Sequence, residues 1–206
     1  MPQFTNPLKH FSRSFRKNDD GVAAIEFAFI APILLTLYFG MTEIASVISV
    51  DRRISHSANV AGDLSTQVAS INANEMEEIL NATLLVMGIG TANYGDAKMD
   101  ITSYLRNADD SIQTIGSAKL NGGVSTTFDP TAIDNKILTD QSGVVVARVQ
   151  FAYTPPQLQF MSGNINIEET FLLKPRKSNT VTIENAAGNA NFTCTATSGA
   201  PVCSDA

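Results

Sequence analysis

Apolar residues run almost unbroken from Phe27 to Val50, FAFIAPILLTLYFGMTEIASVISV, with Glu43 the only charged side chain among them. At about 1.5 Å per residue, a helix of that length reaches about 36 Å and can cross a hydrocarbon core of about 30 Å. Pro32 predicts a kink in it, and Glu43 is expected to snorkel to the outer interface. The pattern then turns amphipathic. Ile54, Ala58, Ala61, Leu64, Val68 and Ile71 recur at helical spacing, predicting a stem that continues to about Ser70. Asn72 or Asn74 would cap a second helix over Glu75 to Val86, with Met76, Ile79, Leu80, Thr83 and Leu84 inward and Gly88 and Gly90 ending it.

Past Gly90 the period becomes two. Met99 to Leu105, Ser111 to Leu120, Gly143 to Tyr153 and Asn164 to Leu173 are rich in β-branched and aromatic residues and read as strands. In the third, Val145, Ala147, Val149, Phe151 and Tyr153 alternate with Val144, Val146, Arg148 and Gln150; Asn121-Gly122-Gly123 signals a turn, and Pro155-Pro156 stops that strand. The predicted class is α+β: a long N-terminal transmembrane and stem helix carrying an antiparallel β-sheet head packed on helices, a lollipop. The expected divisions are a leader over 1–21, a transmembrane helix over 22–50, helical stem and second helix over 51–90, a head over 91–185, and a flexible tail over 186–206.

Charge adds an orientation. The 206 residues carry a net charge of -6, which argues against a nucleic-acid surface. Before Val22, however, Lys9, Arg13, Arg16 and Lys17 stand against Asp19 and Asp20, a net of +2, which leaves -8 for the rest. A basic leader, an apolar run and an acidic body place the N-terminus in the cytoplasm and the body across the membrane, although Arg52 and Arg53 weaken the contrast. A cleavable secretory signal is a rival reading; its apolar region would be about 7 to 15 residues long, shorter than this one.

Gly21 precedes the apolar segment, Glu26 is the fifth residue after it, and Phe27 follows. A basic leader, G, four mostly apolar residues, E and an aromatic resembles the prepilin-peptidase site of type IV pilins. The longer stretch GVAAIEFAFIAPILLTLYFGMTEI resembles the TadE-like pseudopilins of the tight-adherence (Flp) pilus system. Gly21, Ala23, Ala24, Glu26, Phe27, Ala28, Pro32, Phe39, Gly40 and Glu43 carry the likeness. The resemblance implies cleavage after Gly21, a new N-terminus at Val22, and a bacterial inner-membrane location with a periplasmic head. It also implies partners: a prepilin peptidase, other pilins or pseudopilins, and the pilus assembly platform. Glu26 would neutralise the N-terminal amine of a neighbouring subunit; alternatively it sits wet in the first helical turn, favoured by the macrodipole. VQFAYTPPQLQF followed by IEETFLLKPR is a further likeness of low specificity to TadE-like and TadG-like proteins. An unprocessed, membrane-anchored periplasmic scaffold is the alternative function.

Ala24, Ala28 and Ala31 fall on one helical face at spacings that let membrane helices approach closely. Cys194 and Cys203, the only cysteines, have no metal-site spacing; a disulfide fits an oxidising compartment, and two free thiols are the other possibility. His10 and His56 are the only histidines, and the adjacent pairs Asp109-Asp110 and Glu168-Glu169 do not converge as an acid-base pair would. No catalytic residue, metal, cofactor or small-molecule substrate is therefore expected. Lys174, Arg176 and Lys177 read as a solvated strand end or a partner patch.

Overall fold

The computed structural model describes residues 20–155, 163–185 and 188–206. Almost all of the basic leader and the stretch Pro156 to Phe160 lie outside the described residues. The chain divides into two compact units at Ala45 and Ser46. In the first, helix α1 (Asp20–Thr66) begins and passes through Pro32 without interruption. Its apolar side chains are exposed on every side, as Phe29 at 74% and Ile33 at 69% illustrate.

The second unit opens with the remainder of α1, where small and β-branched residues turn inward: Val50, Ile54, Ala58 and Ala61 are buried. The helix ends at Thr66, earlier than the periodicity suggests. The last turn tightens through Gln67 N–H donating to Leu64 O (3.3 Å), and the Thr66 carbonyl accepts from Arg176 N (3.0 Å). Arg176 also pairs with Asp63, so the basic strand end caps α1, where the macrodipole favours a cation. Ile71, which continues the helical pattern, is buried in a short strand instead, β1 (Ser70–Ile71).

Helix α2 (Ala73–Met87) is capped by Asn72. Asn72 Oδ1 accepts from Glu75 N–H (3.1 Å), and Glu75 Oε2 accepts from Asn72 N–H (3.0 Å), a reciprocal box that satisfies two orphan donors. Gly88 closes α2 in the left-handed region (φ 63°), a conformation costly for any side chain with a Cβ. All five inward positions expected for this helix are buried, with Met87 beside them.

Nine strands follow the sequence pattern with additions. After β2 (Ala97–Arg106), β3 (Ile112–Leu120), β4 (Gly143–Tyr153) and β5 (Ile165–Leu173) come β6 (Thr182–Asn185), β7 (Gly188–Asn189), β8 (Asn191–Thr195) and β9 (Val202–Asp205). Six of them form one sheet in the order β5-β4-β2-β3-β8-β9, and β1-β6-β7 form a small one. Every pairing in the large sheet is antiparallel except β3 with β8, which is parallel. The stretch expected to be a flexible tail thus supplies two strands of the main sheet. Phe192 and Cys194 are buried between exposed neighbours, so a five-residue alternation suffices to seat β8.

The large sheet is buried on both faces. On one, Met99, Ile101, Val145, Ala147 and Val149 pack with α1, α2 and the small sheet in the main core. On the other, Tyr104, Val144 and Val146 pack with Ile133 and Leu138 from the long β3–β4 connection in a second core. This is why nine consecutive residues of β4 are buried. Gly62 sets the closeness of α1 to the sheet: a Cβ there would overlap Leu173 Cδ1 and touch Ala147 Cβ at 3.4 Å. Gly62→Val should therefore destabilise the protein by about 1–3 kcal/mol, read by urea unfolding of the detergent-solubilised chain. An unchanged midpoint would mean that the contact is slack.

Candidate functional site

Gly21 and Val22 lie in the first turns of α1. A Cβ on Gly21 would meet nothing within 4 Å, and its backbone is not among the left-handed positions. Packing therefore supplies no reason for glycine, which in a helix interior costs about 1 kcal/mol relative to alanine. Its consequence is chemical: the Gly21–Val22 bond sits where the helix opens most cheaply, since N-terminal amides lack intrahelical acceptors. Glu26 is exposed, as is Phe27 at 69%, and the carboxylate meets no basic group among the described residues. Ala24 and Ala28 are exposed and Ala31 is half-buried. At 3.6 residues per turn, Glu26 points about 160° round the helix from both Ala24 and Ala28, so the acid and the small-residue face address different neighbours.

The polar groups of the apolar run are satisfied within the helix where they could be costly. Thr36 Oγ1 donates to Pro32 O (2.7 Å) and Thr42 Oγ1 to Phe39 O (2.8 Å). Glu43 does not snorkel as expected: it is only 3% exposed.

A second cluster, which the strand pattern does not announce as a site, lies in the head. Asp100, Arg148 and Thr170 stand opposite one another on β2, β4 and β5, with Lys119 facing Asp100 from β3. The Arg148 guanidinium is buried; it reaches Glu168 Oε1 at 2.6 Å and Asp100 Oδ2 at 3.5 Å, and donates to the Thr126 carbonyl at 3.0 Å. Phe128 lies across the guanidinium at 5.8 Å from the ring centroid. A cavity of about 270 Å³ adjoins this network. Gly123 has φ 79°, and a Cβ there would run into Asp100 Oδ1, so the β3–β4 connection closes on the acid at that point. The connection's second attachment is Arg106, also buried, which pairs with Asp110 and donates to Asn135 Oδ1 (2.8 Å). The arginine at mid-strand in GVVVARVQFAY was the available signal.

Burial pushes the Asp100 carboxyl upward against the lowering effects of the Val124 N–H and Arg148. Burial also acts upward on Glu168, but hydrogen bonds from Thr126 and Arg148, with the guanidinium charge, hold it below its ordinary 4.5. The acceptors of Arg148 are protein groups that tie β4, β5 and the β3–β4 connection together, so the network's work is structural.

The remaining chemistry-bearing residues separate. His56 is exposed on α1. Asp109 accepts from Ser111 N–H (3.1 Å) in a turn, while Asp110 turns to Arg106. Cys194 and Cys203 face each other across β8 and β9 and form a disulfide. Cys203 N–H donates to Glu77 Oε1 on α2 (2.7 Å), so that hairpin is fastened to the helix layer too.

The glycine without a packing role, the acid five residues on and the all-round apolar helix converge on one stretch of chain. Residues 21–63 match the TadE-like protein family. The TadE-like segment covers nearly all of α1 and ends three residues before Thr66, so the family signature and the apolar helix are the same piece of chain. No curated protein and no solved structure matches the chain. As an anchor the TadE-like segment has the length and composition for a single membrane crossing, the run from Gly21 being apolar and wholly exposed.

The ionic cluster carries a pH signature. Because Glu168 is lowered on folding, its stabilisation is present above about pH 4.5 and is lost as pH falls through its folded value. Asp100, raised on folding, acts in the opposite sense: its contribution is present at low pH and lost as pH rises through its folded value. Glu168→Gln should cost about 1–3 kcal/mol at neutral pH, with the gap to the parent protein narrowing in acid. Urea unfolding of both proteins between pH 3 and 7 (about the carboxylate range) checks it; a gap independent of pH would assign the loss to packing.

Proposed function

We propose that this protein is a pseudopilin of a tight-adherence pilus system, made with a basic cytoplasmic leader, cut after Gly21 by a prepilin peptidase, and held in the bacterial inner membrane by α1 with its head in the periplasm. The TadE-like segment carries this reading. Gly21 supports it, being a residue that the fold does not require. The positive leader favours the cytoplasmic side for the N-terminus.

In this role the work is assembly. Cleavage frees an ammonium at Val22, and Glu26 of one subunit pairs with the ammonium of the next. Either charge alone would be costly in an apolar helix bundle, whereas the pair offsets much of that cost, so lateral docking is favoured in one register. Ala24, Ala28 and Ala31 allow a neighbouring helix to approach on the other side. The other pilins or pseudopilins and the assembly platform are the partners that such a helix would engage, and the head would present its surface to pilus components.

Intact mass of the membrane-extracted protein, with and without a co-expressed prepilin peptidase, tests the processing. The expected result is a peptidase-dependent loss of Met1 to Gly21, abolished by Gly21→Leu; full-length mass in the presence of active peptidase would leave the unprocessed anchor as the better account. Glu26→Ala should still be cut but should capture fewer pilus components in co-purification. Unchanged capture and unchanged piliation would remove Glu26 from docking.

A further inference from the structure

Within the second unit, where α1 leaves its apolar run, there is a cavity of about 270 Å³. Val50 and Arg53 of α1, Gly88 at the end of α2, Asn93 and Asp96 of a 3₁₀ turn (Thr91–Asp96), and Tyr153 of β4 line it. Arg53 donates to the Gly88 carbonyl at 3.4 Å, so the guanidinium is held at the C-terminal end of α2. That single long contact uses one of the five N–H donors of a guanidinium. Asn93 Nδ2 donates to Ile89 O (2.8 Å), which leaves its amide oxygen as an acceptor in the same cavity as the Asp96 carboxylate. Val50, Phe151 and Tyr153 supply apolar wall.

The site therefore offers a cation and an anion side by side, over an apolar floor. Its position along the chain narrows the ligand. Arg53 follows Val50, the last residue of the apolar run, by three residues, about 4.5 Å along the helix axis. The headgroup layer on each side of the hydrocarbon core is about 5–8 Å thick, so Arg53 falls at phosphate depth when α1 spans the membrane. Tyrosine is enriched at this depth, and Leu85, one turn before the carbonyl that holds Arg53, is 64% exposed, an apolar side chain suited to the boundary.

We propose that this cavity binds the headgroup of a phospholipid that carries both a phosphate and an ammonium, of the phosphatidylethanolamine type: the phosphate on Arg53, the ammonium on Asp96 and the Asn93 amide oxygen. The inference rests on α1 being a membrane span, and it is independent of cleavage after Gly21.

The test is native mass spectrometry of the full chain in detergent, titrated separately with phosphatidylethanolamine, phosphatidylglycerol and phosphatidylcholine. One retained phosphatidylethanolamine is expected, with Arg53→Gln weakening retention about tenfold, the loss of a charge-assisted contact to phosphate. Arg52→Gln, which removes the same charge from a residue outside the cavity, should leave retention unchanged, and Asp96→Asn should weaken phosphatidylethanolamine but not phosphatidylglycerol. Equal effects of the two arginine substitutions, or no retained lipid on the parent chain, would overturn the site. A second measurement does not depend on either charge substitution. The chain has no tryptophan, so Leu85→Trp gives a single fluorophore. Headgroup-labelled quencher lipids should quench it in reconstituted vesicles, and failure to quench would also overturn the proposal. Alkaline washing of membranes separates the two levels: release of the chain would refute the span itself, whereas a retained chain that fails the lipid assays refutes only the headgroup site.

Discussion

The head is organised by the need to cover β4 from both sides. A strand buried on both faces at nine consecutive positions has no wet side on which to leave a charge unpaired. One face is met by α1 at Gly62 and by α2; the other is met by the β3–β4 connection, whose Ile133 and Leu138 fill the second core. Arg148 is the exception that proves useful. Set in an otherwise apolar strand, it draws Glu168, Asp100 and the Thr126 carbonyl to itself, and so fixes a connection that would otherwise have only its apolar side chains to hold it.

The same helix that covers β4 behaves differently in the other unit. Up to Ala45 its large apolar residues are exposed all round; from Val50 onward one stripe is buried and the remainder is polar or charged. A single uninterrupted hydrogen-bonded segment thus carries two surface chemistries, one suited to lipid and one to a protein core. The TadE-like match follows this helix across both chemistries and stops near its end, so the resemblance speaks to the helix and the head is left to its own physics.

The sequence was most legible where period and caps agree. Met76, Ile79, Leu80, Thr83 and Leu84 predict the buried face of α2, and Asn72 with Glu75 three residues on marks its start. Four strands could be read from alternation and β-branched content. The stem's end could not, because Ile71 continues a helical spacing while belonging to a strand whose partner, Ile183, is far away in the chain. Strands β8 and β9 were hidden by composition: Asn, Thr, Ser and Gly around Phe192 read as a tail, and their seat is created by β3 rather than by local preference. Glu43 shows the same limit at the level of one side chain, since its burial depends on what surrounds it in three dimensions.

The parallel pairing of β3 with β8 carries a kinetic consequence. Ser117 bonds Asn191, a partner 74 residues further on, and β3 has no neighbour on that edge until those residues arrive. Contacts of such separation close slowly, because chain entropy is lost before the pairing rewards it. Until then β3 is an open edge able to accept another strand, and the hairpin of β8 and β9 acts as the latch that ends that exposure. The time between emergence of β3 and arrival of β8 is therefore the interval in which this chain is most open to mispairing.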